Sequence, residues 1–360
     1  MRTQHITIAD VARACGVSVA TVSRALLDYP QVNARTRERV VRAVRALGYV
    51  PNRAARSLVV RATQTLGLLI PDATDPIHGQ LVAGFEQEAA AYGYIVILAN
   101  GLDDPARERR AIESFVMSRA DGIALLGSVL PQREVRRRVR PSPVVFVDGE
   151  HPGLAGYQSD LPTGCIRADD IAGMQAVVQH LLETGFRSIA YAGGTGNASD
   201  LTRREAVAKT LQRSRPGATL RTYVWRAADW DPDTAVVAAI ARDRPDAVIC
   251  YDDKMALSLI DGLRTHGVRV PRDVAVVGFD DIPFARLANP RLTTIAQPVV
   301  DMGRQAAAML LRAIQKGTMP RSVRLPVRLI VRESTVHTSA RPGGRSVAPS
   351  RPGRASVRDR

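Results

Sequence analysis

Apolar residues in the first fifty positions recur at helical spacing. Ile8, Val11 and Ala12 stand at i, i+3, i+4 behind Thr7, a residue able to cap a helix, and Cys15-Gly16-Val17 ends the run. Ser18 caps a second helix, in which Val22, Ala25 and Leu26 point one way while Val19, Ala20, Ser23 and Arg24 fall on the other faces. A third helix follows Asn33, burying Val40, Val44 and Leu47 and stopping at Gly48. Two short helices joined by a tight turn containing glycine match a helix-turn-helix. The pattern alone also suits any small bundle of three helices.

Beyond Tyr49-Val50-Pro51, the stretch Asn52–Leu58 holds good helix formers but is too short to be stable by itself, and it reads as a hinge. From residue 65 the texture changes. Apolar strand-like runs (Thr65–Ile70, Ile95–Ala99, Gly122–Leu126, Val144–Val147, Ser188–Ala192, Ala247–Cys250, Val274–Val277) alternate with amphipathic helical stretches. Those helices are expected at Ile77–Tyr92, Arg107–Arg119, Gly173–Thr184, Arg203–Arg213, Asp233–Asp243 and Lys254–His266. Such alternation predicts parallel sheets covered on both faces, and about 270 residues of it suits two units. From Ala340 onward Arg, Pro, Gly and Ser replace nearly all apolar residues, and this tail is expected to be disordered.

Composition alters the picture through the placement of charge. The 360 residues carry a net charge of +15, and all the cations but Lys209, Lys254 and Lys316 are arginines. Residues 1–62 hold eleven arginines against Asp10, Asp28 and Glu38, and residues 337–360 hold six against Asp359, so the body between is close to neutral. Basic ends on a neutral body point to nucleic acid as a partner. Cys15, Cys165 and Cys250 are far apart and lack CxxC spacing, which supports neither a disulfide framework nor a thiolate metal site. The opening residues show no secretory leader and no long apolar run occurs, so a soluble cytoplasmic chain without membrane contact is expected.

Enzyme chemistry finds little support. Gly194-Thr-Gly196 follows a strand, but Ser199 stands where a dinucleotide fingerprint needs its third glycine, and no phosphate-binding lysine occurs there. The six histidines show no HxxxH or HExxH spacing and there is no nucleophile elbow. No enzymatic activity, cofactor or metal is expected. A periplasmic binding protein would share the α/β body but would lack residues 1–62.

Thr7-Ile-Ala-Asp-Val-Ala-Arg-Ala-Cys-Gly-Val-Ser-Val-Ala-Thr-Val-Ser-Arg24, Thr36-Arg-Glu-Arg-Val40 and Gly48-Tyr-Val-Pro-Asn-Arg53 closely resemble the lactose-repressor/galactose-repressor (LacI-type) family of bacterial transcription regulators. Gly67-Leu-Leu-Ile-Pro71, Val276-Val-Gly-Phe-Asp-Asp281, Thr293-Thr-Ile-Ala-Gln-Pro298 and Leu329-Ile-Val-Arg-Glu-Ser334 look like later landmarks of the same family in the same order. The resemblance covers about residues 6–336 and implies an all-α helix-turn-helix domain at 1–49, a hinge helix and linker at 50–62, and an α/β core like periplasmic binding proteins at 63–336. It implies two parallel-sheet lobes, one about 63–164 and 295–325, the other about 165–292 and 326–336, with effector in the interlobe cleft and a disordered tail at 337–360. A homodimer on double-stranded operator DNA follows. Tetramers do not, because the family's tetramers use a C-terminal leucine heptad and 337–360 contains no leucine.

The likeness puts Val19, Ala20 and Arg24 at base-reading positions, and the physics agrees. They lie off the apolar face, and an arginine can make a bidentate contact with guanine in the major groove. Thr7, Ser18, Thr21, Ser23, Asn33 and Thr36 stand at helix starts or on the outer face, where hydroxyls and amides can meet phosphates or simply cap. Asn52, Ala55 and Leu58 fall on the hinge, with Leu58 matching the family's minor-groove wedge. In the core, Asp148, Arg203, Trp230, Asp252 and Asp280 match positions that contact effector in sugar-responsive relatives, with Ile77, His78 and Asn197 as further candidates. Carboxylates at strand ends, an arginine and an aromatic face suit a polyhydroxylated ring, so a carbohydrate is the expected effector. Asn197 replaces the arginine of purine-sensing relatives, which argues against a nucleobase. Helix capping competes as the role of Asp252, Asp253 and Asp280, and the two roles are compatible.

Overall fold

The computed structural model describes residues 6–26, 29–49, 62–148, 164–194, 196–227 and 230–336. The expected hinge positions Asn52, Ala55 and Leu58 and the tail 337–360 lie outside them.

The head is three helices, α1 (Ile8–Cys15), α2 (Val19–Leu26) and α3 (Ala34–Leu47). Each boundary has a local cause. Thr7 donates its hydroxyl and its amide to Asp10 Oδ2 at 2.7 and 2.9 Å, Ser18 Oγ accepts from the Thr21 amide at 3.1 Å, and Asn33 Oδ1 accepts from the Thr36 amide at 2.8 Å. Gly16 and Gly48 then turn the chain out of α1 and α3 at φ of 60° and 66°, a conformation that costs glycine little. Val11, Ala12, Cys15, Val22, Ala25, Val32, Val40 and Tyr49 form the core of this head. Leu26, Val44 and Leu47 are only half-buried at its margin, shallower than the periodicity implies.

The remaining chain alternates strand and helix through β1 (Thr65–Ile70), α4 (Pro76–Ala91), β2 (Ile95–Asn100), α5 (Pro105–Met117), β3 (Gly122–Leu126), α6 (Gln132–Val139), β4 (Val144–Val147) and β5 (Cys165–Ala168). It continues with α7 (Asp170–Glu183), β6 (Ile189–Gly193), α8 (Ala198–Ser214), β7 (Arg221–Val224), α9 (Thr234–Asp243), β8 (Ala247–Cys250), α10 (Asp253–Thr265), β9 (Ala275–Val277) and β10 (Thr294–Ala296). Helix α11 (Val299–Lys316) and strands β11 (Val323–Leu325) and β12 (Arg328–Ile330) complete it. Two compact units result. The first gathers the described residues of Met1–Glu150, Leu161–Arg167 and Val299–Val323, and the second those of Ala168–Pro298 and Arg324–Arg360.

The first unit carries a sheet of order β11-β5-β4-β3-β1-β2, with parallel pairing from β5 to β2. Every residue of β1, β3 and β4 is buried, as a strand covered on both faces requires, whereas β2 at the edge leaves Ile95 and Leu98 exposed. Helices α4 and α11 touch backbone to backbone because Gly84 meets the Val300 carbonyl and Gly303 the Leu81 carbonyl, with no room for a Cβ on either. The second unit has parallel order β7-β6-β8-β9 and an antiparallel pair β10-β12. Strand alternation divides its core: Ala190, Ala192, Val248 and Val276 pack with α9 and α10, while Ile189, Tyr191, Ile249 and Val277 pack with α7 and α8.

Candidate functional site

On α2 the buried Val22 and Ala25 turn one face into the head, and Ser18, Val19, Ala20 and Arg24 are exposed on the other. Thr21 and Ser23 are half-buried. The Arg24 guanidinium has no hydrogen-bond or ion-pair partner among the described residues. A charged, partnerless arginine flanked by two small apolar residues on a short exposed helix is suited to a groove edge of DNA. Thr7, Ser18 and Asn33 are caps in this structure, and Thr36 supplies the amide that Asn33 holds. The N-terminal amides they leave uncovered are where phosphate oxygens bind readily.

In the second unit, candidates cluster at the carboxyl ends of β6, β8 and β9. Arg203 of α8 is buried: its Nε donates to Asp170 Oδ1 at 3.2 Å, its Nη1 to the Tyr251 carbonyl at 2.9 Å, and its guanidinium lies 3.5 Å from the Phe279 ring centroid. Burial is the largest single influence and depresses its pKa, but the charge of Asp170, together with Tyr251, Asp280 and Tyr191, outweighs it and holds the guanidinium above the ordinary arginine value. Asn197 caps α8, accepting from the Asp200 amide at 2.8 Å, and donates from Nδ2 to the Tyr251 hydroxyl at 2.8 Å. Burial pushes that phenol up, so it stays protonated.

Asp252 caps α10 by accepting from the Met255 amide at 2.7 Å and is half-buried. The neighbouring Asp253 is inaccessible. It accepts from Thr294 Oγ1 at 2.6 Å and from the Ile282 amide at 2.9 Å, and burial raises its pKa well above a normal carboxylate despite those bonds. Asp280 caps no helix, contrary to the competing reading. It sits at a φ of 117°, rare for a residue with a Cβ, and Oδ1 accepts from Gln297 Nε2 at 2.6 Å. Backbone strain of this kind costs about 1–3 kcal/mol and collects at functional positions. Trp230 leaves 41% of its surface open and meets Phe284 edge to face at 5.4 Å. The structure therefore brings Asn197, Arg203, Asp252 and Asp280 to one sheet edge and adds Tyr251, Phe279, Asp170 and Gln297, which the sequence reading missed. Tyr251 and Phe279 directly precede aspartates at strand ends and Gln297 lies in the Thr293–Pro298 landmark, all usable signals; nothing marks Asp170.

In the first unit, Asp148 follows β4 at a φ of 47° and donates its amide to the Ile166 carbonyl at 3.0 Å. Ile77 is buried in the first turn of α4 and donates its amide to Asp75 Oδ1 at 3.0 Å. His78 Nδ1 donates to the Asp72 carbonyl at 2.6 Å, so its own loop fixes the tautomer and leaves Nε2 as the acceptor of the neutral ring. No helix among the described residues is long and apolar enough to cross a membrane.

A helix-turn-helix head on two parallel α/β units of periplasmic-binding-protein type makes up a DNA-binding transcription regulator. A sequence model described as bacterial regulatory proteins, lacI family, matches residues 7–52, and one described as a periplasmic binding protein-like domain matches residues 178–335. The HTH-type transcriptional regulator GalR of Salmonella typhimurium is 34% identical over 336 residues, 92% of this chain and 96% of the relative. A lac repressor dimer solved with operator and the anti-inducer ONPF superposes with a TM-score of 0.81 at 26% identity, over 92% of this chain and all of that one. The regulator CelR in complex with cellobiose gives 0.65 at 29% identity, over 91% and 99%. The chain belongs to the LacI family of bacterial transcription regulators.

Proposed function

We propose that the chain is a cytoplasmic repressor that binds a pseudo-palindromic operator as a homodimer and is controlled by a sugar or sugar derivative. The observation that carries the DNA half is the exposed face of α2, where Arg24 has no side-chain partner among the described residues and stands beside Val19 and Ala20. One such helix reads too few base pairs to specify a genomic site, and two related by a dyad read enough. Apolar side chains exposed on the single chain, Ile95 and Leu98 on β2, Leu102 beyond it, and Val224, Phe284 and Leu287 in the second unit, offer area for a partner protomer. The lac repressor structure is itself a dimer on operator.

The effector half rests on the polar edge of the second unit. Asp252 and Asp280 carry half-buried carboxylates, Arg203 is held rigid beside them, Asn197 and Tyr251 add an amide and a hydroxyl, and Trp230 presents a ring face. These groups match the hydroxyls and the apolar face of a sugar, and CelR was solved with cellobiose. A ligand controls the protein only by binding its two arrangements unequally, with typical couplings of about 1–3 kcal/mol.

Selection from randomised duplexes followed by fluorescence anisotropy tests the reading: an inverted repeat should emerge, and at least one member of a sugar panel should shift its affinity. Asp280→Asn tolerates the same backbone better than alanine, and it should bind operator normally but respond poorly to the sugar. A chain that enriches no repeat, or that sediments only as a monomer at micromolar concentration, would overturn the DNA half. An unaltered response in both Asp280→Asn and Trp230→Ala would overturn the effector half.

A further inference from the structure

The first unit has a recess at the opposite end of its sheet from the usual ligand edge of α/β folds. Its walls come from the segments that enter β1, β3 and β4: Ala62-Thr63, Arg119-Ala120-Asp121 and Arg140-Pro141-Ser142-Pro143, closed by Val116, Val139, Ala313 and Ile314. The volume of 620 Å³ lies within the range of about 300–1,000 Å³ common for small-molecule sites. Arg119 and Arg140 are exposed at this recess, and neither guanidinium has a partner among the described residues. Arg119 is also held at a φ of 54°, a left-handed conformation that favours glycine. Among the described residues of the wall the only carboxylate, Asp121, is occupied. It accepts from the Thr63 and Gln64 amides at 2.9 Å each, and the Thr63 hydroxyl lies 3.0 Å from it and 2.8 Å from the Arg119 carbonyl.

We propose that this recess binds a small organic anion, with Arg119 and Arg140 taking the carboxylate or phosphate head and the alanine, valine, proline and isoleucine wall taking an apolar body. The site is separate from the sugar site. Occupation alters operator affinity, because the bonds lining it are those that fasten Thr63 and Gln64, the residues entering the body from the head, to the start of β3. That second statement rests on the operator reading above, and anion binding itself does not.

The test uses the full chain with phenyl phosphate and benzoate as probes and neutral benzyl alcohol as the control. Saturable binding is expected for an anion, the tighter of the two identifying the head group. The double variant Arg119→Gln/Arg140→Gln should weaken it about tenfold, as loss of a charge-assisted hydrogen bond does. Saturating anion should shift operator affinity in the native chain and not in the double variant. The assignment is overturned if neither anion binds, if the variant binds equally well, or if benzyl alcohol binds as tightly. It is overturned also if the double variant weakens operator binding with no anion present, since the arginines would then serve the DNA backbone. Anion binding by a native chain that recognises no operator would instead sink the operator reading and leave the pocket standing.

Discussion

Single side chains in this protein differ in what their loss would disclose. The Arg24 guanidinium pairs with nothing among the described residues, so Arg24→Ala should leave thermal stability unchanged. It should flatten discrimination at one base pair per half-site by about 1–3 kcal/mol, read by competition between operator variants. Arg203 is the opposite case: removing it takes the ion-pair partner from the buried Asp170, and breaking a buried pair typically costs about 3–5 kcal/mol, so unfolding would mask any effect on ligand. Glu134 gives a pH signature. Arg109 donates to it at 2.8 and 3.3 Å and Arg138 at 2.9 Å, and these bonds, Arg109 first, lower its pKa from 4.5 to about 2. A lowered folded pKa means that the stabilisation is complete above 4.5 and fades as pH falls toward about 2. Urea melts of native and Glu134→Gln chains should therefore differ at neutral pH and converge across that window; a gap that widens on acidification would contradict the pairing.

Among the elements, the head and most of the alternating strands and helices of the body are legible, whereas two amphipathic helices, α6 and α11, and the short strands β5, β7, β10, β11 and β12 are absent from the sequence reading. The helix pattern of the head and the apolar runs of β1, β3 and β4 match the structure closely. Helix α6 was missed because Val135 and Val139 are its only buried residues and Arg133, Arg136, Arg137 and Arg138 look like a solvated loop. Strand β7 was missed because it is an edge with a single buried residue, Tyr223, and β10 and β12 are three residues each, ordered by pairing with one another. The sequence pattern starts α8 at Arg203, whereas the helix begins at Ala198, where the Asn197 cap sets it. Packing between elements makes its own prediction. Gly303→Ala puts a methyl against the Leu81 carbonyl, backbone that cannot swing aside, so α4 and α11 must separate. A loss of about 1–3 kcal/mol or more in chemical denaturation is expected, where an ordinary helical glycine would gain from the same change.

For the whole molecule, charge placement governs how tightly DNA is held as distinct from which DNA is chosen. Residues 337–360 carry six arginines and Asp359 and no lysine, so a chain ending at residue 336 should bind every duplex more weakly and with unchanged sequence preference. Its salt slope should shrink by about 0.9 for each phosphate that the tail had neutralised. An identical slope in the two chains, measured by anisotropy across a potassium chloride series, would mean that the tail does not touch DNA.

The class of fold, the helix-turn-helix head and the family are legible along the chain, because each is written in local periodicity, caps and short motifs that depend on near neighbours. The sequence also nominates carboxylates at strand ends, since strand ends are legible. Which of those carboxylates are accessible depends on packing. Asp252 and Asp253 are adjacent and look alike in the chain, yet one is a half-buried cap and the other is sealed beneath Thr294 and the Ile282 amide. The tertiary structure alone places Asp170 under Arg203 and Gln297 on Asp280, pairs separated by 33 and 17 positions. Pairings of that kind leave no periodic trace, because they arise from strand order and helix packing and not from the spacing of residues along any one element.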